Sequence, residues 1–226
     1  MKITWYGQAS FGLESASGLR IVTDPYDPQT SGFKPFPDAA DVIIMSSDND
    51  SFHCNHHLVP KREGAEVINA LTVAQKGGSY ESHGVVFKAT EAMEHLQHDE
   101  HDPDQNGMYR FSLDGIEFGH MGDMGNAFSD AHMDFFKGVD VLLALAGGFP
   151  VVALEELKRI IDETQPKLVI PMHFRTLCYK PRGMFFIPEF LKLFDYAEVD
   201  FAFDSSAELS KETLPESTRA LVIDYI

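Results

Sequence analysis

The sequence holds only two cysteines in 226 residues, Cys54 and Cys178. Two are too few for a disulfide framework, so a reduced, cytoplasmic setting is the expectation. Basic residues are scarce as well: 18 Lys and Arg stand against 35 Asp and Glu, a formal net charge of −17. That balance disfavours nucleic acid and membrane as partners, because counterion release needs clustered cations. Long apolar runs are missing too. The most apolar stretch, VDVLLALAGGFPVVAL, is broken by Gly147, Gly148 and Pro150, so it does not read as a membrane span. The opening MKITWYG lacks the basic, apolar, small-residue order of a secretory signal. Short repeats, low-complexity tracts and linkers are absent, which predicts one domain over residues 1–226.

Apolar residues make up 44% of the chain, enough for a packed core and against disorder. The first half is rich in strand signals. KITWY, SFGLES and LRIVTDPY are β-prone segments bounded by Gly, Ser and Pro. ADVIIM is a continuous apolar run, the pattern of a strand buried on both faces. AEVINA, HGVVFKA, GMYRFSL and GIEFGHM follow as strands, with a hairpin turn at Leu113 to Gly115 and a polar loop at HDEHDPDQN. Helices are expected at SDAHMDFFKG, capped by Ser129, at VALEELKRIIDETQ, stopped by Pro166, and at IPEFLKLFDY. VDVLLAL, KLVIPM, EVDFAF and RALVIDY complete the strands. The order predicts a layered α/β fold in which helices cover the outer faces of two packed sheets.

Histidine and aspartate collect at predicted strand ends. His53 follows DVIIM, His95 follows VVFKATEAME, His120 and Asp123 follow GIEFG, and His173 follows KLVIP. In layered α/β proteins such ends converge on one edge, where sites form. Imidazoles and carboxylates together are ligands for transition metals. A single histidine at such a place is more often a hydrogen-bonded structural residue; the metal reading rests on several strand ends together.

Several motifs, in order, resemble the metallo-β-lactamase superfamily, in particular the small bacterial metal-dependent hydrolases related to L-ascorbate-6-phosphate lactonase. MKITWYGQASFGLES is similar to that family's opening strands, and IVTDPYDP to its Thr-Asp-Pro turn. HMGDMGN resembles its His-Leu-Gly-Asp-Leu-Gly-His motif, LLALAGGFP its glycine turn, and KLVIPMHFRT its last metal-binding strand end. The resemblance implies an αββα four-layer sandwich with a site at one edge between the sheets. It also implies hydrolysis of an ester, lactone or phosphoester in a small-molecule substrate by a metal-bound hydroxide, and an assembly of identical chains is common among such proteins.

The sequence departs from the family at its main motif. SSDNDSFHCNHH stands where Ser-His-x-His-x-Asp-His is expected. Setting Ser47 on the family's serine puts Asp48 and Asp50 on its first two histidines, Phe52 on its aspartate and His53 on its last histidine. An ungapped fit from the strand side would put Ser47, Asn49, Ser51 and Phe52 on the ligand positions. Gln8 and Asn126 also replace family histidines. The first placement implies one site of Asp48, Asp50, His95 and Asp123, with His98 an alternative to His95, and a second of His53, His173 and Asp123. Asp123 and His173 then carry the catalytic role. Such carboxylate-rich sites suit one or two manganese, iron or zinc ions. A degenerate site would hold none, and the chain would then be a catalytically inactive member acting as a binding or assembly module. Asp24 and Arg175 are further candidates, Asp24 for orienting a ligand or capping a turn, Arg175 for meeting an anionic substrate group or a surface acid. Cys54 is read as a soft ligand or a bystander, and His56 and His57 as supporting or surface residues.

Overall fold

A computed structural model of the chain describes residues 1–48, 52–95, 104–181 and 183–225. The chain opens with three strands, β1 (Lys2–Gly7), β2 (Ser10–Glu14) and β3 (Arg20–Thr23), then a single helical turn α1 (Pro28–Ser31). Next come β4 (Ala40–Met45), β5 (Lys61–Asn69), α2 (Ala70–Gln75), β6 (Ser79–Ser82) and β7 (Val85–His95). The middle holds β8 (Asp104–Leu113), β9 (Ile116–His120), α3 (Asp130–Phe136), β10 (Val141–Leu145) and α4 (Leu154–Thr164). The last part is β11 (Leu168–Met172), α5 (Ile187–Leu191), β12 (Val199–Phe201), β13 (Ser206–Glu208) and β14 (Arg219–Val222).

Two sheets result. One has the order β13-β1-β2-β3-β4-β5, the other β12-β14-β11-β10-β9-β8-β7-β6. With helices packed on them they form the expected αββα sandwich. β3, β4 and β5 run parallel in the first sheet, as do β9, β10, β11 and β14 in the second. Parallel neighbours bring their C-terminal ends to one edge, and that edge receives the residues after β4, β9 and β11.

Local chemistry accounts for the elements. Each residue of VLLAL in β10 and LVIPM in β11 is buried, the pattern of strands covered on both faces. β8 and β9 join through Asp114 and Gly115, both at positive φ (50° and 76°), as a tight two-residue hairpin turn requires. The Ser129 side chain accepts from the His132 N–H and closes a capping box at α3. α4 buries Leu157, Ile160, Ile161 and Thr164, one helical stripe. Between the sheets lies a core built on Trp5, Phe11, Phe87, Phe111 and Phe118. A second cluster of Tyr6, Tyr26, Phe33, Phe36 and Tyr179 closes the end near the site, with Phe52 packed against it.

Some expectations needed correction. α2 was not foreseen: Asn69 ends β5 and also caps the helix by accepting from the Thr72 N–H, so one apolar run serves two elements. β6, α1 and β13 were likewise unmarked in the sequence, being short segments of weak pattern. Asp104 to Asn106, expected in the polar loop, belong to β8, while 98–103 lie outside the described residues. The helix expected over IPEFLKLFDY is only Ile187–Leu191. No described helix is long and apolar enough to cross a membrane.

Candidate metal centre

Three elements deliver three side chains of metal-ligating type to one point. His53 comes from the segment beyond β4, Asp123 from the loop after β9, and His173 from the first position past β11. One atom from each lies within 4.8 Å of the others. His53 Nδ1 is 3.4 Å from Asp123 Oδ2, and His173 Nε2 is 3.0 Å from Asp123 Oδ1. The two imidazoles stack at 5.5 Å with planes 10° apart. All three side chains are buried, at 1%, 6% and 4% exposure. Burial opposes the charge on Asp123, but the imidazoles of His53 and His173 and a hydrogen bond with Glu94 outweigh it, holding the carboxyl well below the usual range.

These residues fit a divalent ion. Two imidazoles and an ionised carboxylate are the donor set that zinc, iron and manganese take. Among the described residues, Asp123 Oδ1 and His173 Nδ1 are buried polar atoms without a hydrogen-bond partner, Oδ1 meeting His173 Nε2 at 3.0 Å as an ion-pair contact. Unsatisfied buried polar atoms are rare in folded chains, and here they collect at one edge. Gln8 Oε1, Ser46 Oγ, Ser47 Oγ and both side-chain polar atoms of Asn106 share the condition.

Backbone strain marks the same edge. His173, Gln8 and Asp24 adopt positive φ (54°, 54° and 34°) without being glycine. Such conformations persist only where the surroundings impose them. The His173 N–H donates to the Gln8 carbonyl (2.9 Å), which also accepts from Trp5 Nε1 (3.1 Å). Gln8, taken from the sequence only as a missing histidine, thus fixes the His173 backbone.

Beside the three clustered residues lies a fully buried pair, Asp24 and His120. The Gly122 N–H donates to His120 Nδ1 (2.9 Å), so Nδ1 carries no proton and Nε2–H donates to the Ala9 carbonyl (2.9 Å). Tyr109 stacks on the ring at 4.6 Å. Burial, partly offset by the bond to Ala9, pushes His120 down to about 3. Both ring nitrogens are therefore committed, and His120 positions the loop of Asp123 rather than moving protons. Asp24 Oδ1 accepts the Ser46 N–H (2.5 Å) and Oδ2 lies 3.5 Å from His120 Nδ1. Burial raises its carboxyl to about 7, against the pull of His53 and Ser46.

The signs of these two shifts oppose each other. The folded chain keeps the Asp24 proton from the ordinary 3.8 up to about 7, so this group costs stability progressively as pH rises through that window. His120 stays neutral in the fold down to about 3, so its contribution is present above 6.5 and is lost as pH falls toward 3. Asp24→Asn keeps the acceptor for Ser46 and removes the first slope. In metal-free protein its stability advantage over wild type in urea unfolding is expected to be larger at pH 8.5 than at pH 5.5; the same difference at both values would count against a neutral Asp24.

The remaining candidates are distributed as follows. Asp48 is exposed past the end of β4 and is not one of the three clustered residues. Asp50 and His98 lie outside the described residues, and His95 ends β7 with its side chain outside them. Cys54 is half-buried, and His56 and His57 begin a short 3-10 turn. Asn126 Oδ1 accepts the Met93 N–H (3.2 Å), a structural use of the position. Glu94, which nothing in the sequence marks as a site residue, hydrogen-bonds Asp123. A groove of about 450 Å³ borders the His173 strand end, lined by Trp5, Phe174, Arg175, Leu177, Phe186 and Ile223. Arg175 lies over the Phe186 ring at 5.0 Å.

Comparison with known proteins agrees with this geometry. The sequence profile of the beta-lactamase superfamily domain matches residues 2–173. A proposed Zn-dependent hydrolase of the metallo-beta-lactamase superfamily from Thermotoga maritima is similar at 32% identity and a TM-score of 0.76, over 98% of this chain and 97% of that one. A UPF0173 protein of Pyrococcus abyssi is 28% identical over 78% of this chain and 84% of its own length. A UPF0173 metal-dependent hydrolase of Carboxydothermus hydrogenoformans is 26% identical over 78% of this chain and 85% of its own.

Proposed function

The chain belongs to the metallo-β-lactamase superfamily, and from that premise we propose that it is a metal-dependent hydrolase of small-molecule esters, lactones or phosphoesters. The observation that carries this reading is the buried convergence of His53, Asp123 and His173 at the shared edge of the sheets. His53, Asp123 and His173 would hold a divalent ion, which when bound would supply Lewis acidity toward water and the scissile group. Asp123, kept ionised beside two imidazoles, needs no deprotonation to take up the ion. Gln8 holds the His173 backbone, and His120 holds the loop of Asp123 through Gly122. The apolar groove beside Phe174 receives the unreacting part of the substrate, with Arg175 available to an anionic group on it. The hydrolase name of the relatives supports the reaction class, while manganese, iron and zinc all suit two histidines and carboxylates. Asp48 and Asp50 would add further oxygen donors.

The test begins with elemental analysis of protein purified without chelator or a histidine tag. About one or two equivalents of metal are expected. Manganese-, iron- and zinc-loaded protein is then offered phosphodiesters together with lactones and carboxylic esters, the last two in neutral and anionic versions. Turnover that chelation removes and metal restores supports the reading. Protein that takes up no ion would sink it and leave the inactive binding module standing.

A further inference from the structure

We propose that the groove beside the end of β11 is a binding site for an apolar monocarboxylate, with Arg175 holding the carboxylate and the surrounding rings holding the body. The inference deepens the function proposed above and rests on it only in taking such a molecule for the substrate; the binding itself needs no metal.

Arg175 differs from the other described arginines. Arg20, Arg62, Arg110, Arg159 and Arg219 each meet a carboxylate within 3.2 Å. The Arg175 guanidinium has no carboxylate or hydrogen-bond partner among the described residues, although acids outnumber bases by 35 to 18 in the chain. It lies instead over the Phe186 ring, 5.0 Å from the centroid, and the residue is half-buried. A planar, weakly hydrated cation stacked on a ring keeps its N–H edge open to the two oxygens of a carboxylate.

The backbone fixes this pair. The Arg175 N–H donates to the Phe185 carbonyl (2.9 Å), and Arg175 and Phe186 form a parallel bridge. The Phe185 N–H donates to the Gly147 carbonyl (2.8 Å). Gly147 in turn packs so closely on the His173 carbonyl that a side chain there would collide with it. The wall that carries Arg175 and Phe186 is therefore built on the same turn as His173.

The rest of the groove is apolar. It holds about 450 Å³, inside the range of small-molecule sites, on the order of 300–1,000 Å³. Trp5 and Phe174, stacked at 4.8 Å, lie along its buried side. On its outer side Leu177 is 100% exposed and Phe186 43%, apolar surface that a ligand would cover. Asp224 lines the same groove, and its charge disfavours a second negative group on the ligand. One carboxylate on an apolar body satisfies both the cation and the rings.

Trp5 is the single tryptophan of the chain, so its fluorescence reports on the groove. Metal-free full-length protein, kept in chelator so that no ion can take the carboxylate, is titrated with 3-phenylpropionate, its neutral amide 3-phenylpropionamide, and acetate. Wild type is expected to bind 3-phenylpropionate at least about tenfold more tightly than either of the others. Arg175→Met should bring the acid down to the affinity of the amide and leave amide binding and the melting temperature unchanged. Leu177→Ser should weaken acid and amide alike. Equal affinity of wild type for acid and amide, no binding of the acid, or an undiminished preference in folded Arg175→Met protein overturns the assignment. Metal content, measured separately on protein purified without chelator, distinguishes the two readings. A silent groove in a metal-loaded chain overturns this site and leaves the hydrolase standing. Selective binding of the acid by a chain that takes up no ion upholds the site and overturns the hydrolase.

Discussion

Asp123→Ala is expected to weaken divalent-metal binding by more than about 100-fold and to remove any metal-dependent hydrolysis. Asp123 lies within 3.4 Å of both imidazoles, at Oδ2 for His53 and at Oδ1 for His173. Removing its carboxylate leaves two stacked imidazoles with no charge to offset an ion between them. The metal-free variant should lose some stability as well, because the imidazoles of His53 and His173 hold the Asp123 carboxylate charged in the fold and truncation leaves them unpaired, so melting without the ion is read separately from binding. Calorimetric titration and melting with and without manganese or zinc check both halves. Unchanged affinity would show that the three-residue cluster is not the binding point.

Gly125→Ala should have the largest effect on stability, a loss of about 3 kcal/mol or more in urea unfolding. A methyl group at this position would run into the Glu94 carbonyl and approach the Pro150 carbonyl at 3.0 Å, and backbone oxygens cannot swing away as a side chain does. Relief requires parting β7 from the loop of Asp123, so metal affinity should fall together with stability. Gly138→Ala is a control for glycine chemistry without collision: its φ is positive, but no atom lies within 4 Å of the added carbon. It should cost only about 1 kcal/mol. Equal losses for the two would show that backbone freedom, and not close approach, sets the requirement at Gly125.

How the sequence discloses this protein depends on the kind of contact. β10 and β11 were legible because strands buried on both faces must be apolar throughout, and α4 because one stripe of it is. The hairpin at Asp114 and Gly115 was legible because few residues accept its backbone. His53, Asp123 and His173 could be singled out because each stands just past an apolar run. Glu94 could not, since glutamate is ordinary on a surface and its inward position follows from a change of parity along β7. The role of Gln8 was hidden for another reason: its backbone carbonyl, not its side chain, anchors His173. Asn106 was lost inside a polar stretch that the sequence presents as a loop, yet it is fully buried in β8.

One consequence of the centre is mechanical. His53 follows a strand of one sheet, whereas Asp123 and His173 follow strands of the other. An ion shared by all three is therefore a removable rivet through the sandwich, joining chain segments that are remote in sequence. Chain-entropy reasoning for cross-links gives the greatest restraint to ties that close long loops. With the rivet in place, the two sheets should exchange their amide hydrogens as one cooperative body. Chelation should let the ends of β4 and β11 open on their own, and proteases should find that seam first.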